Sequence, residues 1–156
     1  MNVFKRNGHA DPAPIDPTAK AINRMIEMPR ADFGQLVVDL YCALGHAARR
    51  LGAPGDRDFD IVVVSKTGQH WIAQCKQWRG AVGESVVREF YAAMLREHAT
   101  QGAIITTAHF TPKAVQWAQG KPIHLYDGPA FLQALQRIQG ASLENLMGHG
   151  SNGSNG

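Results

Sequence analysis

Apolar residues recur along this chain with two different periods, and the changes of period mark out its elements. Ile22, Met25 and Ile26 return at three and four residues, which predicts a short helix over Pro17 to Met28. Asp32 has the chemistry of an N-cap for a second helix, in which Phe33, Leu36, Val37, Leu40 and Leu44 follow at helical spacing up to Gly45. The period then changes. Phe59-Asp60-Ile61-Val62-Val63-Val64 is β-branched and short, Lys66-Thr67-Gly68 breaks it, and His70 to Lys76 resumes it, which predicts a β-hairpin. From Gly83 to Ala99 the residues Val86, Val87, Phe90, Tyr91, Met94 and Leu95 restore the helical period, and Gly102 to Thr107 reads as a buried strand. Strand, helix and strand in that order suggest a crossover. Thr111 with Pro112 in the first helical position opens a short helix, Ile123 to Tyr126 reads as a strand, and Pro129 to Ile138 predicts a closing helix. Behind the short first helix the order is α β β α β α β α, an α/β arrangement with no internal repeat.

The flanks carry no such pattern. Residues 1–16, punctuated by Asn7-Gly8, Pro12 and Pro14, read as a flexible arm, and residues 141–156, ending in Ser-Asn-Gly twice, read as a flexible tail. A single domain over residues 17–140 is expected, since 156 residues leave little room for a second core. With 44% hydrophobic and 19% charged residues, the composition excludes disordered and collagen-like classes. The longest aliphatic run, Ile61 to Val64, is far short of a membrane span, and the N-terminus has no apolar leader, so a cytoplasmic protein is expected. Cys42 and Cys75 have no metal or disulfide spacing and read as reduced thiols. The seven histidines form no i, i+4 ligand pair, and no phosphate-binding glycine loop is present, so any ATPase must be a partner. The net charge of +3 is a weak pointer to a polyanion.

The hairpin carries the candidate chemistry. Alternation puts Gln74 and Lys76 on one face of their strand and Cys75 on the other. A two-residue turn at Thr67-Gly68 would pair residue 60 with 75 and turn Asp60 away from Lys76. A three-residue loop with Gly68 in the left-handed region pairs 60 with 74, and a glycine at the third loop position is what that geometry requires. Asp60, Gln74 and Lys76 are then expected to converge. A carboxylate, an amide oxygen and an ammonium brought together suit metal-assisted phosphodiester hydrolysis. Asp60, the Gln74 amide oxygen and the Cys75 backbone carbonyl would bind Mg²⁺ as hard oxygen ligands, and Lys76 would hold the attacking water or stabilise charge on the phosphate. The same residues can equally form a surface ion pair with no activity.

Phe33-x-x-Leu36-Val37, Leu44-Gly45, Gly55-Asp56-x-x-x-Asp60, Gln74-Cys75-Lys76-x-Trp78, Val82-Gly83 and Val87-Arg88-Glu89-Phe90 resemble, in this order, the Mrr-like restriction endonuclease domain. Gly102-Ala-Ile-Ile-Thr-Thr, Phe110-Thr111-x-x-Ala114 and Leu125-Tyr126-Asp127-Gly128 continue the series, and the resemblance covers residues 30–137. It implies the PD-(D/E)xK nuclease superfamily, with a restriction-endonuclease-like core of a mixed central sheet flanked by helices. It also implies Asp60 as metal-binding aspartate, Lys76 as catalytic lysine and Gln74 at the acidic position, in the QxK variant. Such proteins usually carry a glutamate directly after the first-helix phenylalanine, and here that place is Gly34. Asp56 and Asp58 are auxiliary candidates from the loop, and Mn²⁺ could substitute for Mg²⁺.

Around this centre, Trp78, Arg79, Arg88 and Lys113 are candidate DNA contacts, and Arg49-Arg50 and Lys121 could join Arg88 and Lys113 in a phosphate-contacting face or be scattered solvated cations, which the sequence does not decide. Thr106 and Thr107 read as satisfied strand-end hydroxyls. The expected function is a Mg²⁺-dependent DNA endonuclease in defence against foreign DNA. Its target would be chosen by a homodimer or a separate recognition partner, since residues 1–28 are too short for a winged helix. The alternatives are a DNA-binding or assembly module that has lost activity and a dimeric nuclease for junctions or flaps.

Overall fold

The computed structural model describes residues 13–14, 16–52 and 58–153, with side chains described as far as Gly140. The elements run α1 (Pro17–Glu27), α2 (Arg30–Ala43), β1 (Ala47–Arg50), β2 (Ile61–Val64), β3 (His70–Lys76), α3 (Glu84–Arg96), β4 (Gln101–Thr106), α4 (Pro112–Ala118), β5 (Ile123–Tyr126) and α5 (Gly128–Gly153). The strands form one mixed sheet in the order β1-β2-β3-β4-β5. The first two pairings are antiparallel and the last two parallel, so α3 and α4 are the crossovers that parallel neighbours need.

The two faces of the sheet bury separate clusters. Phe33, Val37, Ile61, Val63, Ala73, Ala103, Ile105 and Phe131 pack under α1, α2 and α5. Ile72, Val87, Phe90, Met94, Ile104, Ala114 and Ile123 pack under α3 and α4. Consecutive residues of β3 and β4 feed opposite clusters, which is why these central strands read as unbroken apolar runs. Gly102 lets α3 close on the sheet: a Cβ there would lie 2.7 Å from both Met94 Sδ and the Phe90 ring.

The sequence pattern finds four of the five strands and all the helices among the described residues, and it differs at three points. The strand β1 was not expected, because Ala-Ala-Arg-Arg has neither alternation nor β-branched residues; it exists through its antiparallel pairing with β2 and carries its arginines on an exposed edge. Asp32 is not the N-cap of α2, which begins two residues earlier behind Pro29, whose carbonyl accepts from the Asp32 and Phe33 N–H groups. Asp32 lies instead in the first turn, where its charge suits the helix dipole. The helical backbone of α5 continues to Gly153, over much of the segment read as a tail. Residues 154–156, and the arm 1–16 apart from residues 13, 14 and 16, lie outside the described residues. At α4 the expectation holds in detail, with Thr111 Oγ1 accepting from Ala114 N at 3.1 Å and Pro112 in the first turn.

Replacing Gly102 with alanine is expected to destabilise the fold by about 1–3 kcal/mol, because the added methyl overlaps Met94 and Phe90. Urea unfolding would show this as a lower midpoint at unchanged slope.

Candidate active site

The hairpin turns as its glycine requires. Gly68 has φ +87°, Ser65 N donates to Gln69 O at 2.8 Å, and Ile61 faces Ala73, the register of the three-residue loop. At the start of β2 that regularity ends. Asp60 N donates to Ala73 O at 2.9 Å, the carbonyl of the residue that Ile61 already faces, while Asp60 O accepts from Leu51 N of the neighbouring chain segment at 2.8 Å. Two residues thus oppose one, the hallmark of a bulge. Asp60 is thereby turned toward the α2 side, and its Oδ2 accepts the Cys75 N–H at 2.7 Å.

The expected convergence is corrected here. Gln74 pairs with Ile104, a residue of the α3/α4 cluster, and is only 8% exposed, so it lies on the face away from Asp60. The bulge, which turn geometry alone does not predict, separates the two. The buried Gln74 Oε1 has no hydrogen-bond partner among the described residues. Such an orphaned acceptor calls for a bound water or cation.

Asp60 lines a cleft of about 460 Å³ with Arg30, Ala31, Gly34, Arg50, Leu51, Gly52, Ile61 and Cys75. A smaller cleft of about 190 Å³ is lined by Arg30, Phe33, Cys75, Lys76, Gln77 and Trp78. Arg30 and Cys75 border both, so Asp60 and Lys76 flank adjoining hollows. The Lys76 ammonium stands 4.7 Å from the centroid of the Trp78 ring, which is 40% exposed. The segment after Lys76 is tied down on two sides. Gln77 Nε2 donates to Met25 O and Met28 O at 2.8 and 2.7 Å, and Thr107 Oγ1 donates to Trp78 O at 2.6 Å. Thr106 Oγ1 accepts from Ala108 N, so both strand-end threonines are satisfied, as expected.

The donor set fits a hard cation in part. Successive residues of a strand point their backbone groups to opposite sides, and Cys75 directs its N–H at Asp60; its C=O therefore faces the same side. One carboxylate and carbonyl oxygens are the ligands that Mg²⁺ accepts. Among the described residues no group of three His, Cys, Asp or Glu gathers that could hold a metal, and Asp60 is the anionic side chain that lines these clefts. The Cys75 thiol is no candidate ligand: burial pushes its pKa up, and the nearby Asp60 charge raises it further, against a smaller opposing effect of Arg30.

Of the other sequence candidates, Asp58 is held by Arg96 at 3.0 Å and Asp56 lies outside the described residues. Arg88 pairs with Glu84 at 3.1 Å and lies over Trp117. Lys113 borders a hollow with Glu84, Trp117 and Lys121, on the α3/α4 side of the sheet. Trp78 alone of the candidate DNA contacts touches the Lys76 side chain; Arg79 is exposed on the following loop. Arg30 was not picked out from the sequence, and Arg50 was named there only as one cation of a candidate phosphate-contacting face. The only signal for Arg50 was the Arg49-Arg50 pair, and its place depends on the unexpected strand β1.

The model of the Mrr_cat restriction endonuclease family matches residues 25–135, which include both clefts. The chain belongs to this family. It is 27% identical over 137 residues to the type IV methyl-directed restriction enzyme EcoKMrr of Escherichia coli (strain K12), covering 83% of this chain and 43% of that protein. The chain thus spans less than half the length of the curated relative it matches. Among solved structures, the DNA modification-dependent restriction endonuclease AspBHI superimposes with a TM-score of 0.54 at 18% identity, covering 81% of this chain and 37% of that one. The MspJI restriction endonuclease, solved with a 27-mer oligonucleotide, gives 0.57 at 17%, covering 82% and 33%. At these identities the structural likeness shows the fold, and the fold is the restriction-endonuclease-like one expected from the motifs. Among the described residues, no helix is long and apolar enough to cross a membrane.

Because the folded chain holds Cys75 as a neutral, half-buried thiol while Cys42 is exposed, iodoacetamide at pH 7.5 is expected to label Cys42 alone. Mass spectrometry should find the second label only after denaturation; native labelling of Cys75 would show that the cleft opens.

Proposed function

We propose that this chain is a metal-dependent DNA endonuclease domain of the restriction type, hydrolysing phosphodiester bonds with water. The observation that carries the reading is the Asp60 carboxylate, anchored on the Cys75 N–H beside Lys76, within the segment that matches the restriction endonuclease family. Asp60 and the Cys75 carbonyl would hold a divalent cation, Mg²⁺ or Mn²⁺, with water completing its coordination. When bound, that cation supplies Lewis-acid polarisation of the phosphate and a water of lowered pKa. Asp60 is positioned for this by the bulge and by its bond to Cys75. The Lys76 ammonium, resting against the Trp78 ring, is placed to donate hydrogen bonds to the attacking water or to a phosphoryl oxygen as its charge grows. Restriction of foreign DNA is the biological role we assign, with target choice made by a second copy or by a recognition partner.

One observation favours a second reading. Gly34 stands where a glutamate is usual, so among the described residues the larger cleft contains two arginines and a single carboxylate. That composition also suits a DNA-binding module without activity.

Incubating supercoiled plasmid with the protein and Mg²⁺ or Mn²⁺ separates the two. Nicking that EDTA stops and that falls about 100-fold or more in Lys76→Ala is the result expected of the nuclease. Plasmid bound equally by both proteins and cut by neither supports the module instead.

A further inference from the structure

We infer that Arg50 and Arg30 form a seat for a DNA backbone phosphate beside Asp60, and that the missing side chain of Gly34 is what lets Arg50 reach it. A Cβ built on Gly34 would lie 2.9 Å from Arg50 Cδ and 3.7 Å from its Cγ. The stem of Arg50 therefore crosses α2 in the space that any other residue would occupy. Gly34 sits in the middle of the first turns of a helix, where glycine is unfavourable, and its own φ is not in the left-handed region; close approach is the reason the structure offers for it.

Arg50 comes from the end of β1, opposite Ile61 and one residue before Leu51, whose N–H is bonded to Asp60 O. Arg30 enters from the first position of α2. Both guanidinium-bearing side chains are exposed and line the same cleft as Asp60. The ion pairs among the described residues are Arg88 with Glu84 and Arg96 with Asp58, so neither arginine of the cleft is neutralised by a described carboxylate, Asp60 included. Two forked cations that no described carboxylate pairs with, beside Asp60 in an open hollow of about 460 Å³, are suited to a phosphodiester rather than to a second metal ligand. The seat grips the strand without any cation, and it places the held phosphate next to the group proposed to bind the metal. This rests on DNA being the substrate, and makes Arg50 a substrate-binding residue absent from the motif.

Fluorescence anisotropy with the full chain, a labelled 20-base-pair duplex and EDTA tests it, with KCl varied. Arg50→Ala is expected to weaken binding about tenfold and to lower the slope of log affinity against log salt by about 1, the loss of one phosphate contact. Gly34→Ala should weaken binding comparably by displacing Arg50, while its melting temperature stays level or rises, since alanine favours the helix. The double variant Gly34→Ala/Arg50→Ala should bind no worse than Arg50→Ala alone. Unchanged binding in Arg50→Ala, additive losses in the double variant, or no binding by the native chain in EDTA each overturn the seat. Plasmid nicking lost in Lys76→Ala alongside unchanged binding in Arg50→Ala would sink the seat and leave the nuclease standing. Weakened binding in both single variants without any nicking would leave a phosphate seat in a chain that does not cut.

Discussion

The register of the β2–β3 hairpin governs where every candidate group lies. Gly68 at φ +87° sets a three-residue loop, and that loop decides which residues of β2 face which residues of β3. A slip of one residue would take the fully buried Ile61 and Val63 out of the α1/α2/α5 cluster and put the half-buried Val62 and exposed Val64 in their place. The core therefore holds the register as firmly as the turn does. The bulge at Asp60 departs from that register where β2 begins and β3 runs on, paired with β4 but no longer with β2. There the Cys75 N–H, which would otherwise lack a strand partner, is bonded by the Asp60 carboxylate. One contact satisfies the backbone and orients the acid.

The rest of the site depends on elements that come from far along the chain. Gln77 holds the C-terminal carbonyls of α1, an end of a helix that has few partners of its own, so the strand carrying Lys76 and the first helix are locked together. Thr107, one residue beyond β4, holds the Trp78 carbonyl from the other side. Beneath both, Phe33 packs edge-on against Phe131 at 5.6 Å between centroids, joining α2 to α5 across the buried face. Lys76 and Trp78 sit on a segment braced from both ends. A braced segment keeps an ammonium in place more cheaply than a free loop could, because less side-chain and backbone freedom is lost when substrate binds.

The charge of the larger cleft departs from what a metal site with several carboxylates would have. Among the described residues Asp60 is its one acid, and Arg30 and Arg50 bring two positive charges to its rim. Such a cleft attracts phosphate more strongly than it attracts a bare cation. On the proposed function, a DNA phosphate in this cleft would add negative oxygens to a cation for which the protein itself offers few ligands, as is usual for Mg²⁺ at phosphate-bearing sites.

Hydrophobic period and turn chemistry were enough to predict both halves of the hairpin, its three-residue loop, the crossover through α3, the Thr111 cap and the α/β class. These are local properties: apolar spacing, β-branching, a glycine where φ must be positive. The ordered motifs also carried the family and singled out Asp60 and Lys76. Three things lay beyond local reading. The strand β1 has no strand-like sequence and exists because β2 offers it an edge. Gln74 and Asp60 share a register position but not a face, since a bulge depends on how β2, β3 and the segment after β1 meet. The meaning of Gly34 was invisible without Arg50, sixteen residues away, lying across it. Sequence determined which residues could carry the chemistry, through patterns that repeat over a few positions. Only tertiary structure decided which of them meet, because the meeting is set by backbone irregularity and by close approach between elements, and neither leaves a periodic trace.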